Sequence, residues 1–258
     1  GVIWLAVPVG LWLLWAVAVA VLHPVGLYPF STGPVRLSGA DLRMIEGRGA
    51  DLHLWESEGG SPRILYFMGN AGSLTLFEGV FEGHGAAGHA VSALQYRGGG
   101  GAPGRPSEAA LKADALAAYD AVAGRGPVVV RGYSLGASLA LHVAARRDVA
   151  AVILEAPFAR GCEMIARATW TPACRMPGVQ RWDSLADVDG VSAPVLILHG
   201  SADALIPVEH GRRLAAALER AGAEVRFVEV PGVGHAPTLD EPEARTAIDA
   251  WMAELPRA

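Results

Sequence analysis

A serine flanked by two glycines is the residue of this chain best suited to covalent chemistry. Residues 132–136 read Gly-Tyr-Ser-Leu-Gly, and they lie between a short apolar run, 127–131, and a helical pattern, 137–145. Strand, sharp turn and helix form the context in which such a serine is exposed as a nucleophile. Glycines suit the turn because it is strained and because strand and helix pack closely there. The pattern predicts that Ser134 is a nucleophile.

A serine hydroxyl needs a histidine to accept its proton and a carboxylate to orient that histidine. Asp203 lies in the loop after the apolar run 194–198. His235 lies in the loop after the apolar segment 224–230. The carboxyl ends of parallel strands meet at one edge of a sheet, so both side chains are expected beside the serine. The order Ser, Asp, His therefore predicts a catalytic triad of Ser134, Asp203 and His235.

Other acids and histidines compete for these roles. Glu155 follows another apolar run, 149–154, and is the reserve candidate for the triad acid. We prefer Asp203, because a Gly-Ser-Ala-Asp turn projects a short carboxylate toward the following histidine loop. His199, at the end of a strand, is expected to support the site or the fold, and His142 is expected to pack within a helix.

The substrate oxygen that becomes negative during acyl transfer needs backbone N–H donors. One donor is the residue after the nucleophile, Leu135. The second is expected from the glycine-containing loop 68–72, which follows the apolar run 63–67. We favour the amide of Asn70, with Ala71 as the alternative. An ordinary strand-to-helix turn is the other interpretation of this loop.

Strand and helix patterns alternate after Pro34. Strand-like apolar runs cover residues 42–46, 51–56, 63–67, 90–96, 127–131, 149–154, 194–198 and 224–230. Helical patterns cover residues 106–123, 137–145, 208–221 and 242–255. The first two runs are expected to form an antiparallel pair. The alternation predicts an α/β fold, with a mainly parallel sheet and helices on both of its faces.

Composition excludes several classes of function. The net charge is −5 and no basic cluster is present, so nothing favours a nucleic-acid partner. The glycine-rich stretch 97–104 lacks the Gly-Lys-Ser/Thr ending of a phosphate-binding loop, and we expect a flexible border of the active site there. No metal-ligand spacing is present, and the predicted reaction needs neither a metal nor an organic cofactor.

The N-terminal segment is almost wholly apolar. Residues 2–22 carry no charge, and a helix of that length spans a bilayer. A cleaved signal peptide is the rival interpretation, because residues 16–18 and 18–20 both read Ala-Val-Ala. We favour an uncleaved single-pass anchor over the signal, because the run is longer than a signal core usually is and no basic residues precede it. A buried core helix is the least favoured interpretation, because the α/β core is accounted for without this segment. Too few Lys and Arg residues flank the segment to fix the side of the membrane.

These patterns divide the chain into an anchor or signal at 1–23, a linker at 24–40 and a catalytic domain at 41–258. A cap insertion at about 158–185 interrupts the domain. Its large apolar residues are Met164, Ile165, Trp170, Met176 and Trp182. Two interpretations stay open for them: a roof over an acyl pocket, or packing of the insertion onto the core. Cys162 and Cys174 lie in this insertion, either as a disulfide typical of an oxidising compartment or as free thiols.

The residues resemble the α/β-hydrolase superfamily over 41–255. The matching segments are 69–72, 96–98, 104–108, 131–136, 155–158 and 199–203. More narrowly, the chain is similar to membrane-anchored α/β-hydrolase-domain proteins, a group that resembles acylglycerol lipases, palmitoyl-protein thioesterases and serine aminopeptidases. The resemblance implies the α/β-hydrolase fold with a mainly parallel eight-stranded sheet. Two positions depart from it: Met68 replaces the usual histidine, and glycines at 98–101 replace an aromatic residue.

The sequence therefore predicts a membrane-tethered serine hydrolase acting on a small acyl ester or thioester through an acyl-enzyme. A serine peptidase with the same triad is the first alternative, because both reactions use the same nucleophile and base. A non-catalytic membrane-bound scaffold of the same fold is the second. The predicted triad argues against the scaffold.

Overall fold

One mainly parallel sheet organises the computed structural model, which describes residues 2–235 and 241–255, with side chains from Val7 onward. The strands are β1 Asp41–Gly47, β2 Ala50–Glu56, β3 Gly60–Phe67, β4 His89–Gln95, β5 Val128–Tyr133, β6 Ala151–Glu155, β7 Val195–Gly200 and β8 Val225–Val230. The first residue of the predicted anchor and residues 236–240 and 256–258 of the predicted domain lie outside the described residues.

Seven α-helices are present in the described part of the chain. They are α1 Val2–Leu27, α2 Glu78–Ala86, α3 Glu108–Asp120, α4 Leu135–Ala144, α5 Gly161–Thr169, α6 Val208–Arg220 and α7 Pro242–Glu254. Short 3₁₀ turns lie at Leu74–Phe77, Ala123–Arg125, Ala173–Arg175, Ser184–Ala186 and Val188–Gly190. Each predicted strand and helix is present, with ends shifted by a few residues.

The strand order is β1-β2-β4-β3-β5-β6-β7-β8. β1 and β2 form the predicted antiparallel pair, with Asp41 opposite Glu56 and Gly47 opposite Ala50. β2 also pairs antiparallel with β4, whereas β3 to β8 run parallel to one another. The carboxyl ends of β5, β7 and β8 therefore meet at the same edge of the sheet.

Burial along the central strands explains why helices flank the sheet. β5, β6 and β7 are buried at every position. Consecutive side chains of a strand point to opposite faces, so complete burial means that both faces are covered. α4 packs on β3, β5 and β6, α2 packs on β4, and α6 packs on β7 and β8. Runs of Val, Ile and Leu are what such a two-sided core requires.

α1 is long, apolar and mostly exposed. Its stretch Val7–Leu27 comprises 21 residues and is apolar enough to cross a membrane, and only 11% of the residues in its most apolar part are buried. Large exposed side chains such as Leu11, Leu14 and Val17 cover its surface. A core helix of a soluble domain would be covered on its apolar side. The helix ends at Leu27, within the segment predicted as a linker.

The cap insertion holds the second half of α1. Val19 is buried in a small apolar cluster with Ile165, Ala173 and Val179 of the insertion. The indole Nε1 of Trp15 donates to the Thr169 carbonyl at 2.8 Å. A disulfide joins Cys162 to Cys174, which settles the alternative that the sequence left open. The bridge fixes α5 to the segment that packs against α1.

The glycine-rich stretch after β4 is tied to its neighbours. A bidentate ion pair joins Arg97 to Asp114 of α3, with both side chains buried. The N–H of Gly100 donates to the Ser31 carbonyl at 2.7 Å, and the N–H of Val35 donates back to the Gly100 carbonyl at 3.4 Å. The stretch expected to be a flexible border is thus anchored by a buried charge pair and by the residues that follow α1.

Candidate active site

Ser134 sits on a strained turn between β5 and α4. Its backbone has φ 53° and ψ −114°, a left-handed conformation that non-glycine residues rarely adopt. The turn leaves no room around its glycines. A Cβ on Gly132 would lie 2.1 Å from the Gly136 carbonyl oxygen, and one on Gly136 would lie 2.0 Å from the Phe67 carbonyl oxygen. The two glycines of the motif are therefore steric requirements of the turn.

The structure brings the three predicted triad residues into contact. His235 Nδ1 lies 2.7 Å from Asp203 Oδ2, and His235 Nε2 lies 3.1 Å from Ser134 Oγ. An ionised carboxylate can only accept a hydrogen bond, so the proton on neutral His235 belongs on Nδ1. Nε2 is then the acceptor that faces the serine hydroxyl. This is the tautomer that a general base needs.

The surroundings of Asp203 keep its carboxylate ionised. Its Oδ1 accepts hydrogen bonds from the backbone N–H groups of Leu205 at 3.0 Å and Ile206 at 2.8 Å. Burial alone would raise the pKa of Asp203, but hydrogen bonds from His199, His235 and Ile206 outweigh burial and lower that pKa well below its ordinary value. His199 Nε2 lies 2.8 Å from the Ile206 carbonyl and 3.5 Å from the Asp203 carboxylate, so this histidine holds the loop that carries the acid.

Glu155, the reserve acid, takes part in a different buried network. Its Oε2 accepts from Arg131 Nε at 2.9 Å, and both side chains are almost fully buried. Arg131 Nη1 also donates to His84 Nε2 at 2.7 Å. Burial, together with the nearby Arg131 and His89, lowers the pKa of His84 to about 2, so its imidazole is neutral and can accept. Among the described residues, the carboxylate found on His235 is that of Asp203.

The two residues predicted to donate to a negative oxygen, Leu135 and Asn70, lie beside the serine. Leu135 is the first residue of α4, where the helix offers no acceptor for its N–H and the helix dipole favours negative charge. Asn70 lines the same cavity as Ser134 and Leu135. Gly69 lets this loop approach closely, since a Cβ there would lie 2.9 Å from the Tyr133 ring. The predicted oxyanion residues thus border one space.

The loop that carries Asn70 is fixed from behind. The hydroxyl of Tyr96 donates to the Met68 carbonyl at 2.5 Å, and the Gln95 side chain donates to the Gly72 carbonyl at 2.7 Å. Met68, which replaces the histidine expected from the resemblance, is fully buried. The Met68 side chain therefore fills the core beneath the loop and not the space above Ser134.

A cavity of about 420 Å³ opens on the serine, a volume within the usual range for small-molecule sites. Ser134, Leu135 and Asn70 line its reactive end. The remaining walls are mostly apolar and come from the cap, the loop after β7 and α1. The side chains and glycines of these walls are Phe158, Gly161, Met164, Ile165, Ala168, Thr169, Trp182, Leu205, Ile206, Trp15, Ala18, Val19, Leu22, His23, Gly26 and Leu27.

The apolar residues of the insertion divide between the two roles that the sequence allows. Met164, Ile165 and Trp182 line the cavity. Met176 packs against the small cluster around Val19 instead. Trp170 does neither, because it is 88% exposed.

Sequence reasoning missed the contribution of α1. Trp15, Ala18, Leu22 and Gly26 line the cavity at helical spacing. Tyr133 was also missed: its ring lies 5.3 Å from that of His235. Burial and the charge of Asp203 raise the pKa of Tyr133, so the phenol stays neutral beside the histidine. For α1, the cause is its uniform apolarity, which gives no sequence signal for the face that lines the cavity.

The arrangement can perform nucleophilic acyl transfer. It combines a serine, a base in the required tautomer, an ionised acid and two candidate oxyanion donors. No group of three or more His, Cys, Asp or Glu side chains is placed to hold a metal within the described residues.

Comparison with known sequences identifies a family model and close relatives. Residues 104–255 match the dienelactone hydrolase family. The Mycobacterium tuberculosis protein named Uncharacterized protein Rv2307c is 36% identical over 203 residues, covering 75% of this chain and 69% of that protein. Human alpha/beta hydrolase domain-containing protein 17B is 32% identical over 181 residues, covering 67% of this chain and 59% of that protein.

Comparison with solved structures confirms the fold. The esterase Pf2001 of Pyrococcus furiosus superposes with a TM-score of 0.72 at 15% sequence identity, over 87% of this chain and 99% of that chain. The identity is too low to carry an activity, but the shared architecture is that of the α/β-hydrolases. The predicted fold class is therefore confirmed.

Proposed function

The chain belongs to the dienelactone hydrolase family and is a hydrolase of the α/β fold, and on that premise we propose that it is a serine hydrolase cleaving acyl esters or thioesters. The observation that carries this proposal is the unbroken line of contacts from Asp203 through His235 to Ser134. Family membership alone does not select the bond that is cleaved. The apolar lining of the cavity supplies the second argument, because it favours an acyl chain.

The proposed reaction runs through an acyl-enzyme. His235 Nε2 takes the proton of Ser134 as Oγ attacks the substrate carbonyl carbon, and Asp203 stabilises the resulting imidazolium. The N–H groups of Leu135 and Asn70 bind the oxygen that becomes negative. Imidazolium then protonates the leaving alkoxide or thiolate as its bond to carbon breaks. A water molecule, deprotonated by the same histidine, then attacks the acyl carbon. The bond from that carbon to Ser134 Oγ breaks, the imidazolium returns its proton to Oγ, and the acid is released.

The walls of the cavity favour an acyl chain over a peptide. Beyond Ser134 they are formed by side chains such as Met164, Ile165 and Trp182. Burial of methylene groups against such walls contributes about 0.8 kcal/mol for each CH₂. A peptide would bring amide groups that need hydrogen-bond partners, and an apolar wall supplies few. We therefore place esters and thioesters before peptides as substrates.

We expect kcat/KM for p-nitrophenyl esters to rise from acetyl to hexanoyl or octanoyl and then to level off. Each further methylene contacts the apolar wall until the cavity is filled, which can improve kcat/KM about fourfold per CH₂. Initial rates on a panel of esters, the matching thioesters and aminoacyl anilides would measure the trend. Faster turnover of anilides than of any ester would move the chain to the peptidases, and a strict acetyl preference would show that the cavity does not bind the acyl chain.

We also propose that α1 is an uncleaved single-pass membrane anchor. Its stretch Val7–Leu27 has the length and hydropathy of a bilayer-spanning helix, and most of its large side chains are exposed. Because the second half of this stretch also lines the cavity, the cap must lie against the lipid. Cleavage after residues 18 or 20 would remove Trp15 and with it part of the cavity wall. The disulfide between Cys162 and Cys174 supports an extracytoplasmic position for the domain, because such bonds persist in oxidising compartments.

The expressed chain should therefore stay in the membrane fraction after a carbonate wash, because an apolar spanning helix is not held by charge. Sedimentation after washing, followed by N-terminal sequencing of the recovered protein, measures both retention and processing. A soluble mature form that begins near residues 19 to 21 would identify the segment as a signal peptide. A soluble form with the segment intact would contradict both interpretations.

A further inference from the structure

The half of α1 nearest the catalytic domain lies against the active-site cavity. Its lining positions Trp15, Ala18, Leu22 and Gly26 recur every three or four residues, so they form one face of the helix. From the first to the last of them the helix advances by about 16 Å. The second half of α1 thus borders the cavity, in addition to any role that the helix has in the membrane.

Contacts at its two ends fix the direction of this helix relative to α5. Near the start of the shared segment, Trp15 bonds to the carbonyl of Thr169, the last residue of α5. Just beyond the end of α1, Tyr28 accepts a hydrogen bond from Trp182 Nε1 at 3.1 Å, and Trp182 contacts Gly161 at the start of α5. The two helices are therefore antiparallel, and the cavity lies between them.

The catalytic end of this cavity is at the end of α1. The N–H of Ser31, four residues after the helix, donates to the Ala71 carbonyl at 3.2 Å in the oxyanion loop. The ring of Phe30 fills the space in front of Gly72 in the same loop. The cavity consequently leads from Ser134, beside the end of α1, toward Trp15 and the free part of the helix.

The far end of the cavity has features of a membrane interface. Trp170 follows Thr169 directly and is 88% exposed, so two tryptophans, Trp15 and Trp170, lie at the same level. Tryptophan is enriched at the boundary between lipid and water. Arg167 and Arg175 of the insertion are exposed nearby in sequence, where anionic headgroups would attract them.

Large apolar side chains border the open side of the cavity. Among the large apolar lining residues, three remain about half exposed or more, namely Trp15 at 50%, Leu22 at 59% and Leu205 at 59%. An apolar rim that continues into an apolar helix suits a chain that never leaves a hydrocarbon environment.

We infer that α1 is a wall of the substrate site and that the substrate is a membrane-resident ester or thioester of a long acyl chain, which enters between α1 and α5. This inference rests on the proposed serine-hydrolase function and narrows it. The carbonyl lies at Ser134, and the chain follows Ala18 and Leu22 toward Trp15. Hydrolysis leaves a fatty acid whose tail already points at the bilayer.

Filling the distal wall at Ala18 tests the inference. Ala18 lines the cavity on the way from Ser134 toward Trp15, so a larger apolar side chain there takes space from the end of a long acyl chain and not from the carbonyl. Ala18→Leu should lower kcat/KM for octanoyl esters about fifteenfold, equivalent to the loss of two buried methylenes, and should change kcat/KM for acetyl esters much less. Ala16→Leu is the matched control, because Ala16 lies on the same helix but does not line the cavity.

Both variants are measured as full chains in detergent, with active sites counted by a serine-reactive probe. Equal octanoyl-to-acetyl ratios in Ala18→Leu and Ala16→Leu would overturn the inference while Ser134-dependent turnover upheld the proposed function. Retention of turnover after loss of Ser134 would overturn the proposed function itself.

The source of the substrate is tested with a palmitoyl ester of 4-methylumbelliferone in phosphatidylcholine vesicles. Substrate in the same vesicles as the protein should be hydrolysed several times faster than substrate in separate vesicles, because confinement to one membrane raises the effective concentration. Equal rates in the two arrangements would show that the chain is taken from solution and would contradict entry from the bilayer.

Discussion

Replacing Ser134 by alanine should abolish labelling by a fluorophosphonate probe and lower p-nitrophenyl ester turnover by at least about a thousandfold. Ser134 Oγ is the hydroxyl that His235 Nε2 contacts, at 3.1 Å, and alanine has no atom that can attack a carbonyl. Alanine keeps the Cβ of serine, so the turn with φ 53° is no more strained than before. A loss of turnover in a folded protein therefore reports on the chemical step.

Ser138→Ala supplies the matched control. Ser138 lies one turn along α4, is 2% exposed, and pairs with the hydroxyl of Ser184 at 3.1 Å. Its removal deletes a buried hydroxyl without touching His235, so labelling and turnover should persist. Undiminished turnover in Ser134→Ala would rule out the acyl-enzyme mechanism, and probe labelling of that variant would reveal a different nucleophile.

The elements that carry Ser134 could be predicted from sequence because their signals are local. β5 begins with three consecutive valines, and the glycines at 132 and 136 leave the space that the tight turn before α4 requires. The same holds for the strands that precede Asp203 and His235. Parallel strands share one carboxyl edge, so order along the chain was enough to predict which loops would meet.

The choice between Asp203 and Glu155 could be argued from sequence but not settled. Both acids follow buried strands, and those strands, β7 and β6, are neighbours in the sheet. What separates them is three-dimensional: Glu155 meets the buried guanidinium of Arg131, whereas Asp203 meets His235. Arg131 lies three residues before the nucleophile, and its inward direction depends on packing that no local pattern reports.

The role of α1 could not be predicted for a different reason. A helix that is apolar on every side has no amphipathic stripe to show which face contacts protein. Val19 is buried while Val17 is 62% exposed, yet the two differ in nothing but position. Their environments follow from where the cap insertion lies, and that is set by its disulfide and by contacts such as Trp15 with Thr169.

Asp203→Asn should lower kcat by about 10³- to 10⁴-fold and leave the fold intact. The carboxylate accepts from His235 Nδ1 at 2.7 Å and thereby keeps the proton away from Nε2. An asparagine amide placed there can donate to Nδ1, which favours the tautomer whose Nε2 carries the proton and cannot act as base. Asparagine still offers an oxygen to the N–H groups of Leu205 and Ile206, so the loop keeps its turn. Steady-state kinetics and circular dichroism would separate the two effects.

Glu155→Gln should show the opposite pattern, because Glu155 acts on the fold rather than on the histidine. Its partner Arg131 is fully buried, and a guanidinium left without its counter-charge destabilises a protein by about 3–5 kcal/mol. The variant should therefore melt at a lower temperature while keeping most of its kcat per active site, as counted by probe labelling. Loss of stability without loss of kcat in Glu155→Gln, beside loss of kcat without loss of stability in Asp203→Asn, would assign the acid to Asp203. The reverse pattern would make Glu155 the triad acid, with Asp203 merely shaping the loop.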